Sequence, residues 1–333
     1  MIPTFFGITI LVYFLANMAP GSPLDAFLAD PRITAAELER KRIALGLDKP
    51  VIVQYWNWLV NLLHGDMGYS FSSRRAVADL IRERIGATAL LAGSSVLLAA
   101  VVALPLGVFA ASKPRSVRDY VGSFFSALFM STPNFFLALI LIYFVSVKWK
   151  LLPSSGMYDS SGEKTLGMLM RHMMLPMLVL STQQMGNWFR QMRAGLLEVM
   201  QEDYVRTARA KGLTKWQVIT RYGIRNAFIP VFTVISMSVP GLMGGAVVTE
   251  QVFGWQGLGT LMVNAIQLRD YPVIMGTTVV IALIVLIANM VTDFCYTRLD
   301  PRIRLKEHSG TGCAWSICSE PAGYAAYARS LRG

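Results

Sequence analysis

The reading turns on one stretch, D-Y-V-R-T-A-R-A-K-G-L-T-K-W-Q-V-I-T-R-Y-G-I-R-N-A-F-I-P, Asp203 to Pro230. It carries Arg206, Arg209, Lys211, Lys215, Arg221 and Arg225 between long apolar runs. Glu198 to Lys211 has few breakers and many helix formers, and Gly212 follows as a C-terminal stop suited to left-handed backbone. A second helix restarts at once, because Thr214-Lys215-Trp216-Gln217 has the S/T-x-x-E/Q form of a capping box. Two short helices with a glycine elbow are therefore expected. Ala208 and Ala210 are small enough for another protein's groove to approach the backbone, and Tyr204 and Thr207 lie within one turn of Ala208. That suits a docking knob. A solvated basic loop, present only to enforce membrane orientation, is the competing reading.

The surrounding chain is built for a bilayer. Its hydrophobic fraction is 54%, charged residues make up 15%, and the mean hydropathy is +0.46, all displaced from soluble averages. The net charge of +11 does not point to nucleic acid, since Lys and Arg sit between apolar runs rather than on one face with interleaved aromatics. Stretches long enough for about 20 helical residues occur at Ile2–Ala19, Ala87–Ala111, Val121–Val147, Met173–Phe189, Ile229–Thr249 and Val273–Tyr296. An all-α integral membrane protein with six transmembrane helices follows. Pro105, Pro133, Pro176 and Pro240 fall inside these spans, where membrane bundles tolerate them.

Basic residues orient the chain. Lys113, Arg115 and Arg118 mark one loop, and Arg298, Arg302, Arg304 and Lys306 follow the last span, so both termini are expected in the cytoplasm. The 250–272 loop holds only Arg269, which suits the opposite side. Met1 opens onto Ile2-Pro3-Thr4-Phe5-Phe6 without the basic region of a signal peptide, so a retained first span at 1–19 is expected. Residues 20–86 then form an extracytoplasmic loop or subdomain, in which Trp56, Trp58, Leu59 and Leu62 are expected to pack together. Residues 87–304 form the core with five further helices and the charged loop at about 198–228. The Gly-, Ser- and Ala-rich segment 305–333 reads as a disordered tail. Its Cys313, Cys318 and His308 fall short of the four ligands zinc wants.

No G-x-x-x-x-G-K-[ST] occurs, so the chain does not cradle a nucleotide in the P-loop manner. Nor does it carry the intramembrane acids of an ion-driven carrier: Asp293, one turn beyond Asn289, is the main candidate, and interhelical hydrogen bonding suits both residues better. Met173, Met174, Met177, Met185 and Met192 suit an adaptable pathway or ordinary core packing.

Arg206-Thr207-Ala208-Arg209-Ala210-Lys211-Gly212 resembles the cytoplasmic "EAA" loop of ABC-importer permeases, in the form found in the dipeptide, oligopeptide and nickel branch. Arg206 stands where the wider family has Glu, and Thr207 where it has Ala. A-P-G-S-P (19–23), L-G-L-D-K-P (45–50), S-T-P-N-F-F (131–136), E-Q-V-F-G-W-Q-G-L-G (250–259), R-D-Y-P-V (269–273) and D-P-R-I-R (300–304) resemble the first of the two permease subunits in such importers. The resemblance implies a type I ABC importer, MetI-like permease fold in a bacterial or archaeal inner membrane. It implies a homologous second permease, two P-loop ATPase subunits that bind ATP and Mg, an extracytoplasmic substrate-binding protein and surrounding lipid. No cofactor of this chain, no metal and no catalysis in it are implied. The same resemblance makes Asp203, Tyr204, Arg206, Thr207, Ala208, Arg209, Ala210, Lys211 and Gly212 the ATPase-coupling residues. Di- or oligopeptides are the expected cargo, with nickel or glutathione as alternatives. A proton-coupled carrier and a membrane scaffold are the competing functions.

Overall fold

The computed structural model describes residues 2–18, 34–44, 46–159 and 164–299. The 19–23 and 300–304 motifs, the tail and its cysteines lie outside them. The described residues are helical apart from loops and one isolated antiparallel bridge between Tyr69 and Ala76. In chain order the helices are α1 (Ile2–Met18), α2 (Ala35–Ala44), α3 (Val51–Leu63), α4 (Val77–Ser112), α5 (Val117–Ser131) and α6 (Asn134–Leu141). They continue as α7 (Leu166–Val199), α8 (Asp203–Ala210), α9 (Lys215–Val218), α10 (Ile224–Phe253), α11 (Leu258–Gln267) and α12 (Tyr271–Leu299). Wide π-type turns, Ile142–Lys148 and Ile219–Gly223, follow α6 and α9. Residues up to Thr292 form one compact unit; of the second, only the end of α12 is described.

All six apolar stretches are helical where described, but the third is not one helix. It breaks at Thr132-Pro133, and the two pieces meet at 103°. Pro133 supplies no N–H and disfavours helical backbone at the residue before it, and Thr132 is extended, with ψ of 121°. Pro105 and Pro176, by contrast, lie within α4 and α7. Among the described residues, two single helices, α4 and the 271–292 part of α12, are long and apolar enough to cross a membrane; the bent pair Val117–Ser131 and Asn134–Lys148 passes the same test only when its two pieces are taken together.

Helix α7 is the hub. Its side chains enter the clusters around Val108 and Met192, around Leu91 and Leu180, around Ala99 and Trp188, and around Ala138 and Val179. Close approach is arranged by glycine: a Cβ at Gly107 of α4 would stand 2.9 Å from Met192 Cβ, and one at Gly186 would stand 2.7 Å from the Ser126 carbonyl oxygen. Real side chains cannot fit there.

The loop before α4 packs as expected, with one correction. Tyr55 and Leu59, not Trp56, fill the cluster with Tyr13 and Met275, while Trp56 is 62% exposed. The helical phase of α3 places Tyr55, Trp58, Leu59 and Leu62 on one side and turns Trp56 away. The Thr9 and Tyr55 hydroxyls share a hydrogen bond at 3.0 Å, fastening this subdomain to α1. Of the five methionines, Met173 and Met192 are core residues, whereas Met174 is exposed. Asn289 is exposed on α12, and the side chain of Asp293 lies outside the described residues.

Candidate coupling site

The single helix expected over 198–211 is two. Helix α7 runs to Val199, a turn occupies Met200–Glu202, and α8 begins at Asp203. The turn is closed by backbone hydrogen bonds from Gln201 to Glu198 and from Glu202 to Val199. Asp203 sits in the first turn and Arg209 in the last, each complementing the helix dipole. Gly212 then adopts φ of +84°. A Cβ there would meet nothing within 4 Å, so glycine is required by backbone conformation alone. The capping box forms as read: the Gln217 N–H donates to the Thr214 hydroxyl at 3.4 Å, and the Thr214 N–H donates to the Gln217 amide oxygen at 2.9 Å.

The hairpin is held by a small apolar patch. Val205, Ala208 and Val218 are buried together, with Met200 and Leu213 against them. A fully buried valine contributes about 1.5–3 kcal/mol, so the patch is enough to fix the angle between α8 and α9. This corrects one expectation about Ala208. It is 5% exposed, and its small size serves the contact with α9, not the approach of a partner. The face open to another protein consists of Asp203, Tyr204, Arg206, Thr207, Arg209, Ala210, Lys211 and Gly212. Tyr204 is further fastened through its hydroxyl, which accepts from the Asn226 amide at 3.1 Å.

The hairpin joins the core through adjacent residues. Val218 lies in the patch beneath α8, and the next residue, Ile219, lies in the cluster of Met192, Leu196, Ala227 and Val231. Gly223 lets Leu196 approach: a Cβ there would stand 2.7 Å from Leu196 Cδ1. Packing is thus continuous from α8 through Val218 and Ile219 to α7 and α10.

An ion pair missed by sequence reasoning braces the same end. Arg193 of α7 donates through Nη2 to Asp119 Oδ2 at 2.9 Å, and the Arg115 N–H donates to the same oxygen at 3.0 Å. Asp119 is almost wholly buried. It lies in the first turn of α5, ahead of the apolar run from Val121. Nothing local signals the pairing, because the partners are 74 residues apart.

Two buried carboxylates organise the 250–273 segment. The Thr88 hydroxyl donates to Glu250 Oε1 at 2.6 Å, and the N–H groups of Gly259 and Thr260 donate to Glu250 Oε2 at 2.8 and 3.2 Å. Glu250 therefore caps α11 from the end of α10. The glycines of E-Q-V-F-G-W-Q-G-L-G follow from this arrangement. Gly254 takes φ of +59°, a Cβ on Gly257 would meet the Glu250 carboxylate at 2.2 Å, and one on Gly259 would meet Val247 Cα at 2.6 Å. Asp270, at the start of α12, accepts from the Ser70 hydroxyl at 2.6 Å and from the Phe71 and Ser72 N–H groups, both at 3.1 Å. R-D-Y-P-V is thereby tied to the loop before α4.

Among the described residues no group of His, Cys, Asp and Glu is arranged to hold a metal ion. The 203–218 segment is an exposed charged hairpin rooted in a helical core. Residues 103–305 match the family "Binding-protein-dependent transport system inner membrane component", and residues 2–92 match its N-terminal companion. The chain is 40% identical to the oligopeptide transport system permease protein AppB of Bacillus subtilis, over 91% of this chain and 96% of that protein. It is 38% identical to the dipeptide transport system permease protein DppB of Escherichia coli K12, over 92% and 97%. The fold resembles a solved structure of the inward-facing MetNI methionine ABC transporter, with a TM-score of 0.52 and 17% identity, covering 66% of this chain and 96% of the other. The chain belongs to the family of inner-membrane components of binding-protein-dependent transport systems, with the fold of a type I ABC-importer permease.

Proposed function

We propose that this chain is the first permease subunit of an ATP-driven peptide importer, forming half of the pathway for di- or oligopeptides. α8 is its coupling helix. The observation that carries this reading is the α8–Gly212–α9 hairpin: its outer face is charged and open, and its inner face continues into the α7–α10 core through Val218 and Ile219. A short helix seated in an ATPase groove transmits rigid-body motion, which a solvated loop does not. The coupling surface is Asp203, Tyr204, Arg206, Thr207, Arg209, Ala210 and Lys211, with Ala208 and Gly212 holding its shape.

Two P-loop ATPase subunits, which bind ATP and Mg, dock there. A homologous second permease completes the pathway, and an extracytoplasmic binding protein delivers cargo. Both termini lie in the cytoplasm, as does the hairpin, and the chain itself carries out no bond chemistry. The sequence likeness to permeases named for oligopeptide and dipeptide transport supports peptide cargo.

The test is uptake into vesicles holding the purified complex, comparing a dipeptide, a pentapeptide, glutathione and Ni²⁺. ATP-dependent uptake of dipeptide or pentapeptide is expected. Uptake confined to glutathione or Ni²⁺ would transfer the assignment to those cargoes. Peptide uptake that survives without ATP and collapses with the proton gradient would replace it by an ion-coupled carrier.

A further inference from the structure

Helix α7 is covered on three sides and open on the fourth. Phe189 and Met192 face α4, where Gly107 admits them; Gly186 faces α5 at Ser126; Gly195 faces α10 at Ala227. The side left between α5 and α10 carries Gln183, Asn187, Arg190 and Ala194, spaced by 4, 3 and 4 residues and so aligned along one face. Gln183, Arg190 and Ala194 are exposed and Asn187 is half-buried. Among the described residues, no partner takes up the side-chain amides of Gln183 or Asn187.

Their depth makes this unusual. Trp188, Phe189 and Met185, immediate neighbours of the stripe, pack with Ala99 and Ala103 of α4, a helix apolar and long enough to cross a membrane. Polar side chains at that depth face a bundle interior or a water-filled cavity, not lipid. The opposite exposed flank carries Met174 and Leu178, with Arg171 on the same face near the start of the helix, so its apolar part is the stretch deeper in the helix.

We propose that Gln183 and Asn187 line the translocation pathway and hydrogen-bond the main chain of the passing peptide, with Arg190 one turn further suited to its terminal carboxylate. This rests on the peptide-importer reading above. The chemistry fits because a carboxamide both donates and accepts, as a peptide unit does. It recognises main chain without reading side chains, and so serves cargo of varied sequence.

The test uses the full complex in vesicles, with the three native cysteines, Cys295, Cys313 and Cys318, replaced by serine. Gln183→Cys and Asn187→Cys are to be labelled by a charged methanethiosulfonate, with Leu178→Cys as the lipid-side reference on the same helix. Labelling at positions 183 and 187 at least tenfold faster than at 178, slowed when binding protein, ATP and a dipeptide drive turnover, is the expected result. The Gln183→Leu, Asn187→Leu double variant should lower peptide uptake about tenfold, the effect of losing two modest hydrogen bonds, while assembly and basal ATP hydrolysis persist. Labelling no faster than at position 178 would overturn the proposal. A wild-type complex that imports no peptide would overturn the cargo reading instead, whatever the labelling pattern.

Discussion

Two short helices in the connections between long ones, α8 between α7 and α10 and α11 between α10 and α12, are held in opposite ways. Helix α8 is charged and open, held by three buried apolar residues, Val205, Ala208 and Val218, and by the conformation of Gly212. Helix α11 is locked by the Glu250 carboxylate, which has no exposure and takes hydrogen bonds from Thr88, Gly259 and Thr260. A helix handled by a partner needs a free face and a firm root. One that closes a bundle needs its backbone satisfied inside. Damage to α11 should therefore cost the fold, and damage to α8 should cost only the coupling.

The largest effect is expected at Glu250. Glu250→Leu leaves the Thr88 hydroxyl and two backbone N–H groups without an acceptor, each costing about 1–3 kcal/mol. Folded protein recovered from membranes in mild detergent, measured by size exclusion, should fall sharply. Recovery equal to wild type would remove the contrast between the helices.

Gly212→Val comes next. It forces a β-branched residue to φ of +84°, a penalty of about 1–2 kcal/mol for a non-glycine residue. Insertion and folding should stay normal while ATP-driven uptake falls several-fold. Equal loss of folded protein would mean that the elbow is structural.

The Asp119–Arg193 pair sharpens the comparison from the other side of α7. Asp119→Asn removes the charge that Arg193 and the Arg115 N–H are turned toward, a loss of about 1–3 kcal/mol. Thermal stability of the purified complex should fall while the hairpin itself is untouched. A melt equal to wild type would argue against the brace.

Thr214→Ala is the smallest change, about 1 kcal/mol for a lost N-cap. A modest drop in coupled uptake with unaltered recovery is expected, checked by initial rates of uptake.

The local parts of the hairpin were legible in the sequence. A capping box spans four residues, and a glycine after a helix-forming run signals its own conformation, so Thr214, Gln217 and Gly212 behave as read. What the sequence hid depends on contacts made at long range. Ala208 looks like a surface residue until α9 folds back over it. Thr88 and Glu250 are 162 residues apart, and Asp270 meets Ser70 across 200. The break at Pro133 was visible as a residue, but tolerance of proline in membrane bundles favoured continuity, and the chain bends there instead. Trp56 was misplaced because composition draws attention to tryptophan, whereas helical phase assigns the core position to Tyr55. The fourth apolar stretch ends at Phe189 because Arg190 and Arg193 interrupt it, whereas the helix itself runs on to Val199.

The most direct test of the coupling role compares two alanines on one helix. Ala210→Trp adds bulk to the open face of α8 without touching its packing, whereas Ala208→Trp pushes α8 off α9. The complex is to be purified through this chain, with the bound ATPase subunits quantified and transport-stimulated ATP hydrolysis assayed. Loss of ATPase subunits or of stimulation in Ala210→Trp, with this chain still folded and inserted, is the predicted result. Full ATPase binding and stimulation in Ala210→Trp would contradict the account and return the hairpin to an orientation loop.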